Sequence, residues 1–350
     1  MSTAEQAYLN TRVSAMSTRL LAPGQVEPLL DLSLGELAAR FGLAPPPEER
    51  RPLRTRSRAV EQALVSVLLE DLRILIRPIR GAERRLLLAW GRKFALLNLK
   101  TLIRGKLASL DAAEIRSNLF ELPSHAHLAE EALDRAEGVL ELLRLLERGP
   151  HASIARQARE LYERRREPFA LEAAIDQRYY SVLLREAMRL RDANQADLRR
   201  LIGSLLDQVA LLWLLRFRCS FGLSPSEAFY FLVPSPHLLH RDRLLALAEL
   251  EGLESVLAAL PEPLGPLLAG SENLLQVQQR LNQYSLDVAR SSLALSQSAV
   301  ARALAYLLLR ENDLFLLFSL MQGQLLGLPR DLIAVAVEQP LAVGAAAIAR

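Results

Sequence analysis

The chain has 350 residues, 51% hydrophobic, 24% charged and only 5% aromatic, with 43 basic against 40 acidic side chains for a net charge of +3. Such a composition excludes a disordered chain, and its richness in leucine and alanine favours aliphatic helix packing over sheets, which want β-branched and aromatic residues. A single cysteine, Cys219, excludes an internal disulfide and a cysteine-based metal cluster, and the length points to two or three domains or a repeat array.

In chain order, the opening MSTAEQAYLNTRV has no apolar core and no cleavage pattern, so it does not read as a signal peptide. VEPLLDLSLGELAARFGL then spaces its leucines and Phe41 three and four residues apart, a helical period that ends at the three prolines of LAPPPEERRPL. The stretch ERRPLRTRSR presents Arg50, Arg51, Arg54, Arg56 and Arg58 as a basic loop for anionic headgroups or solvent, and it lacks the interleaved aromatics that stack nucleic-acid bases. EQALVSVLLEDLRILIRPI and ADLRRLIGSLLDQVALLWLLRF have the same helical period, while breaks near Pro123, at Pro234 and Pro236, in LPEPLGPLLAG and in GLPRD mark short connections. A membrane span needs about 20 apolar residues. VALLWLL is stopped by Asp207 and Arg216, LFLLFSLMQGQLLGL contains Gln322 and Gln324, and LIAVAV ends at Glu338 and Pro340, so an all-α soluble protein is expected.

All the lysines, Lys93, Lys100 and Lys106, lie in GRKFALLNLKTLIRGK. On a helix, Leu96, Leu99, Leu102, Ile103, Leu107 and Leu110 make one apolar stripe, with Asn98, Thr101 and Gly105 opposite. Lys100 and Arg104 share a face and repel by a few tenths of a kcal/mol, and Gly105 costs a helix interior up to about 1 kcal/mol. Two unfavourable choices side by side point to a helix end, a close backbone contact or an acidic partner.

The layout recurs. DQVALLWLLRFRCSFGLSPSEAF has Arg216-x-Arg218 where the first copy has Arg104-x-Lys106, with LSPSEAF against LDAAEI and one extra connecting residue. ENDLFLLFSLMQGQLLGLPRDLI sets Gly323-Gln324 at the Gly105-Lys106 place, with LPRDLI after it, and YLNTRVSAMSTRLLAPGQVEPLL is a weaker fourth copy. Anchored on Arg19, Arg104, Arg216 and Gln322, the copies imply about three related helical units. Lys100, Arg104, Lys106, Arg216 and Arg218, at the helix ends, are the candidate partner-binding residues on a polar surface.

AYLNTRVSAMSTRLL, NLKTLIRGK with LDAAEI, IDQRYYSVLL, LLWLLRFRCSFGLSPSEA with LVPSPHLL, and RENDLFLLF with GLPRDLI together resemble the C subunit of V/A-type rotary ATPases, the equivalent of the eukaryotic d subunit. The pieces keep that family's order over almost the whole chain. Ala210 and Trp213 stand where the family tends to carry a charged or amide residue, and LFLLFSLMQGQ is less charged than usual. The resemblance implies an all-α funnel of three similar domains about a pseudo-threefold axis: residues 1–60 with 265–350, 61–160, and 161–264. It implies a rotor part without catalysis, cofactor or small-molecule substrate, on the cytoplasmic face of the membrane, whose partners are the central-shaft subunits and the proteolipid ring.

Other chemistry is thinly signalled. LIRGKL lacks the second glycine and the Ser/Thr of a phosphate-binding loop. The pairs His125/His127 and His237/His240 lack a third zinc ligand, Cys219 is expected to pack in a core, and Asp176 with Tyr179 and Tyr180 suggests a structural hydrogen bond rather than acid–base work. The alternatives are a helical-repeat scaffold of another assembly and a basic helical nucleic-acid-binding protein.

Overall fold

The computed structural model describes residues 2–22, 24–44, 50–123, 135–148, 152–165, 167–190 and 195–338. Among them every regular element is helical. In order these are α1 (Thr3–Ser17), a 3₁₀ turn (Glu27–Asp31), α2 (Leu34–Phe41), α3 (Leu53–Ile76), α4 (Gly81–Gly91), α5 (Lys93–Leu107) and α6 (Ala112–Ser117). Then come α7 (Val139–Leu146), α8 (Ala152–Arg165), α9 (Pro168–Met188), α10 (Gln195–Leu215) and a π-helical turn (Arg216–Ser220). The last are α11 (Pro225–Phe231), α12 (Arg241–Ala248), α13 (Leu253–Ala258), α14 (Leu264–Leu268), α15 (Leu274–Leu295), α16 (Ala299–Leu325) and α17 (Arg330–Glu338).

The sequence supplies the starts of these helices. Ser2 with Glu5, Ser33 with Glu36 and Ser224 with Glu227 form reciprocal capping boxes, and Asp111, Asn273 and Ser298 cap α6, α15 and α16. Each cap satisfies N–H groups that the helix itself cannot, for about 1 kcal/mol. The basic stretch after the prolines is not a loop: α3 begins at Leu53, so Arg54, Arg56 and Arg58 lie on its first turns, where Arg58 pairs with Glu61 at 2.5 Å and Ser57 donates to Gln322 at 2.6 Å.

The chain divides into two compact units, Met1–Leu87 with Ala187–Ala349, and Leu88–Glu186. The hub of the first is α16, which packs against α1, α2, α3, α10, α15 and α17. Ala301, Ala303, Leu304, Ala305, Tyr306, Leu307, Leu314, Leu317 and Leu320 are all buried, on every side of the helix. A helix with apolar residues on every side must be enclosed, and here six neighbours enclose it. In the second unit α5 packs on α6 and α7, and α7 on α8, over a core that includes Leu99, Leu102, Ile103, Leu142 and Leu143. No helix of the described residues is long and apolar enough to cross a membrane.

Candidate functional site

The repeated layout in the sequence is a repeated turn in space. In the first copy Ala108 N–H donates to Arg104 O and Leu110 N–H to Gly105 O, both at 2.9 Å. In the last copy Leu326 N–H donates to Gln322 O at 3.0 Å and Leu328 N–H to Gly323 O at 2.9 Å. The middle copy makes the same two bonds one residue later, from Phe221 to Arg216 O at 3.0 Å and from Leu223 to Phe217 O at 2.9 Å. The inserted residue is absorbed as the π turn Arg216–Ser220, a single-turn widening of the helix end. In all three a left-handed residue, Ser109 (φ 55°), Gly222 (φ 64°) or Gly327 (φ 67°), precedes a leucine and then a new helix. Arg19, by contrast, lies beyond the end of α1, and the next regular element is a 3₁₀ turn, so the first segment does not share this geometry.

The turn brings the second helix down on the first. A methyl group at Gly105 would sit 2.5 Å from Ile115 Cγ1, and one at Gly323 would sit 2.7 Å from Ile333 Cγ1. Glycine is therefore required at both crossings by the close approach. In the middle copy the sizes are exchanged, with Phe217 and Ala228 at the equivalent places, both buried.

Next to that crossing in the second unit, α9 supplies acids to α5. Lys100 Nζ meets Asp176 Oδ1 at 2.5 Å, and Arg104 makes a two-pronged contact with Glu172 at 2.6 Å on each prong. Lys106 Nζ donates to the carbonyl of Ala136 at 2.6 Å. Burial pushes the Asp176 carboxyl up, with the Lys100 charge opposing. Glu172 holds the Arg104 guanidinium more firmly in its charged form. All three explanations for the Lys100–Gly105 stretch thus apply together: a helix end, a close contact and acidic partners. The expectation that Lys100 lies on a polar surface is corrected, because its residue is 4% exposed, and Asn98 and Gly105, placed opposite the apolar stripe, are buried too. Asn98 both donates to Phe120 O and accepts from Phe120 N–H. Of the stripe, Leu107 and Leu110 are only half-buried. The Tyr179 hydroxyl donates to Trp90 O at 3.0 Å, the structural hydrogen bond read from IDQRYY, though its partner is a carbonyl and not Asp176.

Arg216 and Arg218, in the first unit, are half-buried; Arg216 donates to Gln278 at 3.5 Å and Arg218 to Leu223 O at 2.7 Å. Burial lowers the Arg216 pKa from its ordinary value. Cys219 is exposed on the π turn, which corrects its assignment to a core. His237 faces Asp207 at 3.2 Å, His240 is the residue before α12, and His125 and His127 lie outside the described residues. Among the described residues no three of His, Cys, Asp and Glu are grouped as metal ligands.

Three buried carboxylates were not legible in the sequence, two that clamp backbone and one that gathers side chains. Asp207, fully buried in α10, accepts from Leu239 N–H at 2.7 Å and so holds the LVPSPHLL segment. Asp313 occupies the same register in α16 and accepts from Leu21 N–H at 2.9 Å. Asp71 on α3 meets Tyr306 at 2.7 Å, Arg19 at 3.3 Å and Arg310 at 3.4 Å. Burial pushes Asp313 up to about 6 and Asp207 up as well. The available signal was an aspartate opening an aliphatic run at the same distance, nine residues, before Arg216 and before Gln322. This arrangement of buried pairs and clamped loops holds helices in register, and nothing in it exposes a nucleophile or a general base.

The profile of the ATP synthase (C/AC39) subunit family matches residues 9–335. The chain is similar to the C subunit of the A-type ATP synthase of Methanocaldococcus jannaschii, 25% identical over 266 residues, 73% of this chain and 65% of that protein. It is similar to the protein of the same name from Methanothermobacter thermautotrophicus, 27% identical over 254 residues, with the same coverage of 73% and 65%. The alignment with that of Methanosarcina mazei, 23% identical, takes in 93% of this chain and 91% of the relative. The first two alignments span less than two thirds of the relatives' length.

Proposed function

Because this chain belongs to the ATP synthase (C/AC39) subunit family, we propose that it is a non-catalytic rotor subunit of a V/A-type ATPase or ATP synthase. It couples the central-shaft subunits to the membrane proteolipid ring and is peripheral on the cytoplasmic face. The observation that carries this reading is the thrice-repeated helix–turn–helix, with close crossings at Gly105 and Gly323. A coupling that shares its axis with a ring and a shaft is served by threefold repetition, and this reading includes a funnel of three similar helical domains, residues 1–60 with 265–350, 61–160 and 161–264. Buried ion pairs such as Lys100–Asp176 suit a torque-bearing part, because they resist slippage of one helix along another. Arg104, Lys106, Arg216 and Arg218, which are half-buried, remain the candidates for polar contacts with partner subunits. Lys100 acts through the α5–α9 contact.

The test is reconstitution of the rotary complex with and without this chain. With it, ATP hydrolysis drives ion transport; without it, hydrolysis by the catalytic head continues while transport stops. Full-rate transport in its absence, or failure of the chain to co-purify with either the shaft or the ring, overturns the reading. Arg216→Glu with Arg218→Glu is expected to fold and to weaken assembly, by a margin that narrows as salt screens the charges.

A further inference from the structure

We propose that the hollow where α3 gives way to α4 binds a phosphate-bearing anion. It has a volume of about 390 Å³ and is lined by Arg77, Ile79, Arg80, Gly81, Arg84 and Arg85. That volume is within the range of small-ligand sites. Four of the six lining residues are arginines, all four exposed, and no carboxylate lines the hollow.

The charge here is poorly answered by the chain itself. Some exposed arginines elsewhere find acids: Arg73 pairs with Glu70 at 2.6 Å and Arg330 with Glu27 and Asp31 at 2.7 and 2.8 Å. Among the described residues the side chains of Arg77, Arg80 and Arg84 make no ion pair or hydrogen bond, while Arg85 has an interaction of its own. Arg80 acts on Glu5 only at a distance, since that carboxylate is engaged in the cap at Ser2. Glu83, in the first turn of α4, is buried beside Gly81. Arg80, before the helix, and Arg84, in its first turn, both line the hollow, where a shared anion would relieve the repulsion of their like charges.

The backbone contributes to the same place. Gly81, in the left-handed region at φ 72°, opens the eleven-residue α4. The residue before it is Arg80, whose side chain has donors only and cannot supply the acceptor that an N-cap serine or aspartate would. The positive end of the helix adds to the guanidinium charge. Planar guanidinium forks match pairs of phosphate oxygens. Arginine over lysine is general in this chain; what sets this place apart is the convergence of four arginines on one hollow.

The ligand chemistry is a phosphate mono- or diester, from a soluble compound or a lipid headgroup. The experiment titrates the full chain with inorganic phosphate and with pyrophosphate at fixed ionic strength, and floats it with phosphatidylcholine vesicles with and without phosphatidic acid. Wild type binds at least one probe, and Arg80→Ala with Arg84→Ala weakens that binding about tenfold or more, as loss of two charge-assisted contacts requires. The control, Arg50→Ala with Arg51→Ala, binds like wild type. Binding of the soluble anions alone assigns a soluble ligand, and binding of acidic vesicles alone assigns a headgroup. No binding of any probe, or equal binding by the Arg80/Arg84 variant, overturns the proposal. Should that variant fail to fold, Arg84→Gln alone is measured by the same criterion. This site is independent of the rotary reading, since no shaft or ring component enters the assay.

Discussion

Gly105→Ala tests whether the helix crossing is set by contact. The added methyl would lie 2.5 Å from Ile115 Cγ1 and 2.7 Å from Cδ1, well inside van der Waals contact. Ile115 is 1% exposed and cannot swing into solvent, so helix or side chain must move. Alanine gains about 0.5–1 kcal/mol over glycine in a helix, and overpacking costs about 1–3 kcal/mol, giving a net loss of about 0–2.5 kcal/mol. Ile115→Ala alone should cost about 2–5 kcal/mol through lost burial and a cavity. In the double variant the new methyl fills part of that cavity and meets no clash, so its cost should fall short of the additive value by about 1–3 kcal/mol. The assay is a double-mutant cycle by urea unfolding, followed by circular dichroism. Additivity within about 0.5 kcal/mol would show that the two positions do not touch, and would refute the crossing geometry. The equivalent cycle at Gly323 and Ile333 should show coupling of the same sign and smaller size, because the contacts there are 2.7 and 3.1 Å.

Lys100→Met leaves the buried Asp176 without its counter-charge and should cost about 3–5 kcal/mol, mostly recovered by adding Asp176→Leu; a loss below about 1 kcal/mol in urea unfolding would contradict the burial of the pair. Ser109 holds a left-handed conformation that strains a residue with a Cβ, so Ser109→Gly should raise stability by about 0.5–1 kcal/mol, and an unchanged or lower melting temperature would argue against that conformation. Asp313 has a folded pKa of about 6, above the ordinary 3.8, so the folded state binds the proton more tightly. Its contribution is fully present below about pH 4 and is lost as pH rises through 6. Wild type should therefore lose stability relative to Asp313→Asn across that window, by up to about 3 kcal/mol; parallel pH profiles for the two proteins would exclude a buried, titrating Asp313.

The sequence by itself determined the helical class, because leucine and alanine at three- and four-residue spacing admit little else, and it determined the repeat. The anchors Arg104, Arg216 and Gln322 prove equivalent to the residue in their turn bonds, since the capping chemistry of a helix–turn–helix is local and survives the divergence of its neighbours. The extra residue in the middle copy was legible as an insertion; that it becomes a π turn was not, because absorbing it within the helix or in the loop depends on what packs outside. Tertiary structure alone decided the fate of the charges. Lys100 reads as a solvated flank on its own helix, and only the arrival of α9, some seventy residues later, places Asp176 against it. Asp207 and Asp313 look like interruptions of apolar runs until the loops they clamp, ending at Leu239 and Leu21, are in place. Helical periodicity reports which side of one helix is apolar, whereas a buried charge is tolerated or ruinous according to a partner distant in the chain, and that partner is fixed only when the helices pack.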